Sequence, residues 1–124
     1  MNEKKPKVLL IEDDADIRFS MCMVLETMNF EVIAAEHGRQ ALELLEKGPL
    51  PDVIILDMLM PVMDGWEFAV KFHALYNHKV PILVMTAASD AEKRAKDIHA
   101  EGFVSKPFSI DFLEERIRSL RPAA

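Results

Sequence analysis

The sequence predicts an α/β fold, with five parallel strands in the order 2-1-3-4-5 and helices packed on both faces. Three observations predict it. Short apolar runs alternate strictly with longer amphipathic stretches, three of those runs are continuously apolar, and the 124 residues suffice for one core. Strict alternation of strand and helix gives a parallel sheet joined by right-handed crossovers. Continuous runs mark strands buried on both faces. At this size the doubly wound order, reversing beside the first strand, is the natural arrangement.

The runs are Val8-Leu9-Leu10-Ile11, the weaker Val32-Ile33-Ala34-Ala35, Val53-Ile54-Ile55-Leu56, Ile82-Leu83-Val84-Met85 and the short Gly102-Phe103-Val104-Ser105. Between them, Ile17, Met21, Val24, Leu25 and Met28 fall on one helical stripe. Ala41, Leu42, Leu44 and Leu45 form a second stripe, ended by Gly48-Pro49. Phe68, Phe72 and Leu75 form a third after the Asp64-Gly65 turn. Ala91, Ala95 and Ile98 make a weak fourth, and Leu113, Ile117 and Leu120 a fifth, closed by Pro122. The stripe methionines Met21 and Met28, with Met85, read as core filling. The chain reads as a single domain over residues 1–124, with a basic tail at 1–6 and a short one at 121–124.

Charge and cysteine content narrow the function. The formal net charge is −6, whereas a nucleic-acid footprint needs a basic face, so no direct nucleic-acid partner is expected. One cysteine, Cys22, rules out an intrachain disulfide and fits a reducing compartment. The basic start precedes only four strongly apolar residues, too few for a signal core or a membrane span. A cytoplasmic protein without a membrane partner is expected.

Ligands of doubly wound sheets bind beyond the carboxyl ends of the strands, near the switch between strands 1 and 3. Strand 1 ends in Glu12-Asp13-Asp14, strand 3 in Asp57, strand 4 in Thr86-Ala87-Ala88 and strand 5 in Lys106-Pro107. Alone, the acidic run reads equally well as a helix cap. Together, carboxylates from adjacent strand ends repel unless a cation neutralises them, and Mg²⁺ suits a few carboxylates plus waters. A metal, an amine (Lys106), a hydroxyl (Thr86) and an ionised carboxylate suit phosphoryl transfer, where catalysis is mostly positioning and neutralisation. Asp52 flanks the third strand at its other end, roughly 16 Å away at about 3.3 Å per residue. Glu12 and Asp13, neighbours on one loop, suit metal binding better than attack. That leaves Asp57 as the nucleophile.

The set Ile11-Glu12-Asp13-Asp14, Leu56-Asp57-Met58-Leu59-Met60-Pro61, Met63-Asp64-Gly65, Thr86-Ala87 and Lys106-Pro107-Phe108 resembles the receiver domain of two-component response regulators. The resemblance covers essentially the whole chain and implies a flavodoxin-like (βα)5 fold. It implies Asp57 as phosphoacceptor and Mg²⁺ ligand, with Asp13 holding Mg²⁺ directly, Glu12 through water, and the Leu59 carbonyl as a further ligand. Thr86 would donate its hydroxyl to the phosphoryl group, Lys106 would pair with it, and Phe103 would occupy the aromatic switch position. Lys106-Pro107 would be a cis peptide. The implied partners are a histidine kinase or phosphotransfer protein, and a downstream protein met through the fourth helix, last strand and fifth helix. The only catalysis implied is of the domain's own phosphorylation and dephosphorylation.

Two departures matter. Phe103 lacks the hydroxyl of the tyrosine often found there. Leu59 and Ala88 are both apolar, and with no acid or amide there to orient water a long-lived aspartyl phosphate is expected; decay complete within seconds would contradict it. On the first helix, Phe19, Cys22 and Met23 fall opposite the core stripe and are expected to form part of a partner surface. Three other classes compete with the phosphorylation switch. A phosphorylation-independent binding module on the same fold would have no use for the acid, hydroxyl and lysine set. A flavin carrier would need a Ser/Thr/Gly-rich phosphate loop where the chain has three acids. A phosphatase with an aspartate nucleophile would need an acid at Leu59. With only Arg121-Pro122-Ala123-Ala124 after the fifth stripe, a stand-alone relay is the expectation.

Overall fold

Each apolar run becomes a strand and each stripe a helix. The computed structural model describes residues 5–58, 65–86, 91–105 and 109–120. Strands β1 (Lys7–Ile11), β2 (Glu31–Ala35), β3 (Val53–Asp57), β4 (Ile82–Thr86) and β5 (Gly102–Ser105) alternate with helices α1 (Ala15–Thr27), α2 (Gly38–Lys47), α3 (Gly65–Tyr76), α4 (Ala91–Asp97) and α5 (Ile110–Leu120). The sheet is parallel throughout, in the order β2-β1-β3-β4-β5. Pro6 is buried and its carbonyl accepts from Glu31 N at 2.8 Å, so ordered pairing begins one residue before β1.

Alternate strand residues feed two separate cores, which is why β1, β3 and β4 must be apolar at successive positions. Leu9, Ile11, Ile54, Leu56, Ile82 and Val84 pack under α2, α3 and α4, against Leu45, Phe68, Phe72 and Ile98. Val8, Leu10, Val53, Ile55, Leu83 and Met85 pack under α1 and α5, against Leu25, Met28, Leu113 and Ile117. Met21, Met28 and Met85 are all buried, as the stripes imply.

Three side chains depart from the expected phase. Leu75 is 68% exposed, and Tyr76 packs against the core in its place, its ring 5.2 Å from that of Phe72. The buried face of α3 is Gly65, Phe68, Ala69 and Phe72; at about 100° per residue its centre lies about 70° from Leu75 and only about 30° from Tyr76. Ile17, at the open end of α1, is exposed. Cys22, expected on the outer face, is half-buried against the α1–α5 core beside Val24. Burial, and then the carboxylate of Glu26, push its thiol up from the ordinary value against the opposing pull of Arg18. Among the described residues no helix is long and apolar enough to cross a membrane.

Candidate functional site

The register of the sheet delivers the acids to one place. Ile11 lies opposite Leu56, and Asp57 opposite Met85, so β1 and β3 leave the sheet side by side and Asp57 stands beside the end of β4. Carboxylate oxygens of Glu12, Asp13 and Asp57 lie within 4.8 Å of one another. Glu12 is 1% exposed, Asp57 half-buried and Asp13 exposed, so the cluster opens to solvent on the Asp13 side.

Local chemistry fixes the first of these acids. The Glu12 amide donates to Ala35 O at 3.1 Å, continuing the β1–β2 ladder by one bond. Its carboxylate Oε2 accepts from Asp14 N at 3.2 Å. Asp14 is the N-cap of α1, accepting from Ile17 N at 2.9 Å. The acidic run therefore divides: the cap reading holds for Asp14, while Glu12 and Asp13 turn towards Asp57. Arg18, one turn into α1, donates from Nη1 to the carbonyls of Glu12 (3.0 Å) and Asp13 (3.4 Å), and its Nη2 lies 3.9 Å from Glu36 Oε1. One guanidinium nitrogen donating to two adjacent carbonyls helps set the path of the loop that presents both acids. Its position four residues after the cap was the only sequence signal for that role.

Gly65 is a second residue whose part the sequence did not disclose. It reads as turn chemistry, yet what makes a glycine necessary is close approach. A Cβ there would sit 2.6 Å from Met58 Sδ and 2.9 Å from Met58 Cα, and the Gly65 amide donates to Met58 O at 3.1 Å. The start of α3 is thus seated on the residue that follows Asp57.

Thr86 closes β4 at the same pole and is 3% exposed. Phe103 pairs with Val84 in β5 and is half-buried against the core under α2–α4. Leu59, Ala88, Lys106 and the Lys106-Pro107 peptide lie outside the described residues. On α1, Phe19 (67%) and Met23 (53%) are exposed as expected, whereas Cys22 is not. Three converging carboxylates form an all-oxygen donor set, one member withdrawn from water, and this fits a hard divalent cation such as Mg²⁺. Asp52, at the other end of β3, accepts from Lys7 N at 2.7 Å and stands apart from the cluster.

Comparison with known proteins gives the site its context. Residues 8–118 match the response regulator receiver domain family. The "Probable transcriptional regulator ycf27" of Guillardia theta is 37% identical over 120 residues, spanning 95% of this chain and 46% of the relative. The chain thus spans about half the length of the curated relatives it matches. Among solved structures, the chemotaxis response regulator CheY4 of Vibrio cholerae superposes with a TM-score of 0.83 at 34% identity, covering 94% of this chain and 98% of that one. Response regulator TrrA of Thermotoga maritima, crystallised in complex with Mg²⁺ and BeF, gives 0.83 at 29% identity, covering 93% and 98%. The expected absence of a nucleic-acid partner finds no support here, since the relative is named a transcriptional regulator. A sheet in the 2-1-3-4-5 order, an acid cluster at the switch between β1 and β3, and a family match along 8–118 agree: the chain belongs to the response regulator receiver domains of two-component signalling.

Proposed function

We propose that residues 1–124 act as one receiver domain that takes a phosphoryl group onto Asp57 from a histidine kinase or phosphotransfer protein. The observation that carries this is the convergence of Glu12, Asp13 and Asp57 at the carboxyl ends of β1 and β3. A carboxylate oxygen of Asp57 attacks phosphorus, the bond from phosphorus to the donor nitrogen breaks, and an acyl phosphate remains on Asp57. Glu12 and Asp13, with the Leu59 carbonyl, would hold Mg²⁺, which supplies charge neutralisation for the transferring group. Thr86 donates its hydroxyl to a phosphoryl oxygen and Lys106 pairs with another.

Thr86 and Phe103 carry the event outwards. Drawing Thr86 towards the phosphoryl group shifts a two-state equilibrium towards the form in which the Phe103 ring is buried. The faces nearest both residues, on α4, β5 and α5, then meet the downstream protein. Incubation with acetyl phosphate and Mg²⁺ tests the reading by intact mass. One phosphoryl adduct is expected on the wild type and none on Asp57→Asn or without Mg²⁺; a wild type that gains no adduct under any condition leaves the phosphorylation-independent binding module.

The exposed Phe19 and Met23, four apart on α1 and beside the acidic loop, serve as contacts for the phosphodonor. Phe19→Asp is expected to slow transfer from the cognate donor protein and to spare acetyl phosphate. Equal slowing with both donors would remove Phe19 from the docking surface.

A further inference from the structure

α4 is lightly seated. It has seven residues, and the side chains it buries are the two alanines Ala91 and Ala95, with Ile98 just past its end. α3 is the opposite case, anchored by Phe68, Ala69 and Phe72 and clamped at its start by the Gly65–Met58 contact. Trp66 is the next residue of α3, and its ring projects to α4, where the Arg94 guanidinium carbon lies 5.4 Å from the ring centroid. That is within the roughly 6 Å over which a cation is held by an aromatic face. Both helices begin just beyond the proposed phosphorylation site, α3 through Met58 after Asp57 and α4 after Thr86.

We propose that the Trp66–Arg94 contact is the latch that sets the resting position of the switch. The ring is fixed relative to β3 through Gly65 and Met58, so the Arg94 cation upon it holds α4 where the unphosphorylated domain keeps it. Two alanines and the flanking Ile98 anchor α4 with far less apolar area than the two phenylalanines give α3, and low local anchoring is what lets an element move in a switch. Phosphorylation then works against the latch, and removing the latch shifts the resting equilibrium towards the phosphorylated form. The proposal rests on the reading of Asp57 as phosphoacceptor.

Affinity for beryllofluoride in the presence of Mg²⁺, measured by calorimetry, tests both layers. Arg94→Met and Trp66→Leu are each expected to tighten binding about two- to fivefold, the range a partly exposed cation–π contact supports. The double variant is expected to gain no more than either single one, because both remove the same contact. Trp66→Phe, which keeps a weaker ring, should fall between wild type and Trp66→Leu. Unchanged or weakened binding in the single variants, or additive gains in the double, overturns the latch while leaving Asp57 in place. A wild type that does not bind beryllofluoride overturns the reading of Asp57 and the latch with it.

Discussion

The two ends of the sheet use the same residue types in opposite ways. At the amino end Glu31, Asp52 and Glu101 are each matched to a donor. Asp52 accepts from Lys7 N at 2.7 Å, Glu31 lies 3.6 Å from Lys7 Nζ, and Glu101 accepts from Ile82 N and binds His78 Nδ1, both at 2.8 Å. At the carboxyl end Glu12, Asp13 and Asp57 are brought within 4.8 Å of one another. Acids matched to backbone amides stitch strands together. Acids gathered at one point repel one another and favour a cation between them, even where one of them, Glu12, also accepts from a backbone amide, and that gathering marks one end as structure and the other as candidate site.

The largest expected effect breaks this comparison at its functional end. Asp13→Asn is expected to weaken Mg²⁺ binding by ~10-fold or more. The stability of the metal-free protein should change by no more than about 0.5 kcal/mol, since Asp13 is exposed. Thermal unfolding shows both at once: wild type gains stability at saturating Mg²⁺, about 2.7 kcal/mol at a hundredfold excess over Kd, and the variant loses most of that gain. Asp52→Ala is expected to do the reverse. It leaves Mg²⁺ binding unchanged and destabilises by about 1 kcal/mol, because the Lys7 amide loses its side-chain acceptor. If Asp52→Ala altered Mg²⁺ affinity, or Asp13→Asn cost as much stability as Asp52→Ala, the division between the two ends would fail.

That division was largely legible in the sequence, because a parallel strand has polarity. Asp52 and Asp57 flank the same run, and only one can stand at the end where ligands bind. The central strands were legible for a related reason: burial on both faces demands apolar side chains at four of the five positions of each of β1, β3 and β4, the exceptions being Lys7, Asp57 and Thr86 at strand ends. β2, at the sheet edge, is only partly covered and reads more weakly. What escaped was tertiary. The phase of α3 turned on whether Leu75 or Tyr76 faced Phe72, and an apolar count cannot distinguish them when the last turn holds both. Gly65 owes its identity to the approach of Met58, and Arg18 its role to a loop that folds back over α1. Neither contact leaves a periodic trace in the chain.

The smallest effect expected comes from the amino end and sharpens the comparison there. His73, in the last turns of α3, lies with its ring 4.2 Å from that of His78, and its Nε2 is buried with no hydrogen-bond partner among the described residues. Burial, and then the neighbouring His78 and His99, hold its imidazole below the ordinary value, while Glu101 pulls the other way. A base whose proton is bound less readily in the folded state leaves the unfolded chain holding more protons in the interval between the two values. Stability therefore rises with pH through that interval. The contribution is complete above the ordinary imidazole value of about 6.5 and is lost as the pH falls from there to the lowered folded value, below which it is flat. Denaturant unfolding of wild type and His73→Gln between pH 7.5 and 5 isolates it, because the carboxylates titrate in both proteins. The wild type should lose more stability over that range than His73→Gln. Equal losses would show that a proton on His73 is tolerated in the fold, and that Glu101 offsets at this end the repulsion that Mg²⁺ is proposed to offset at the other.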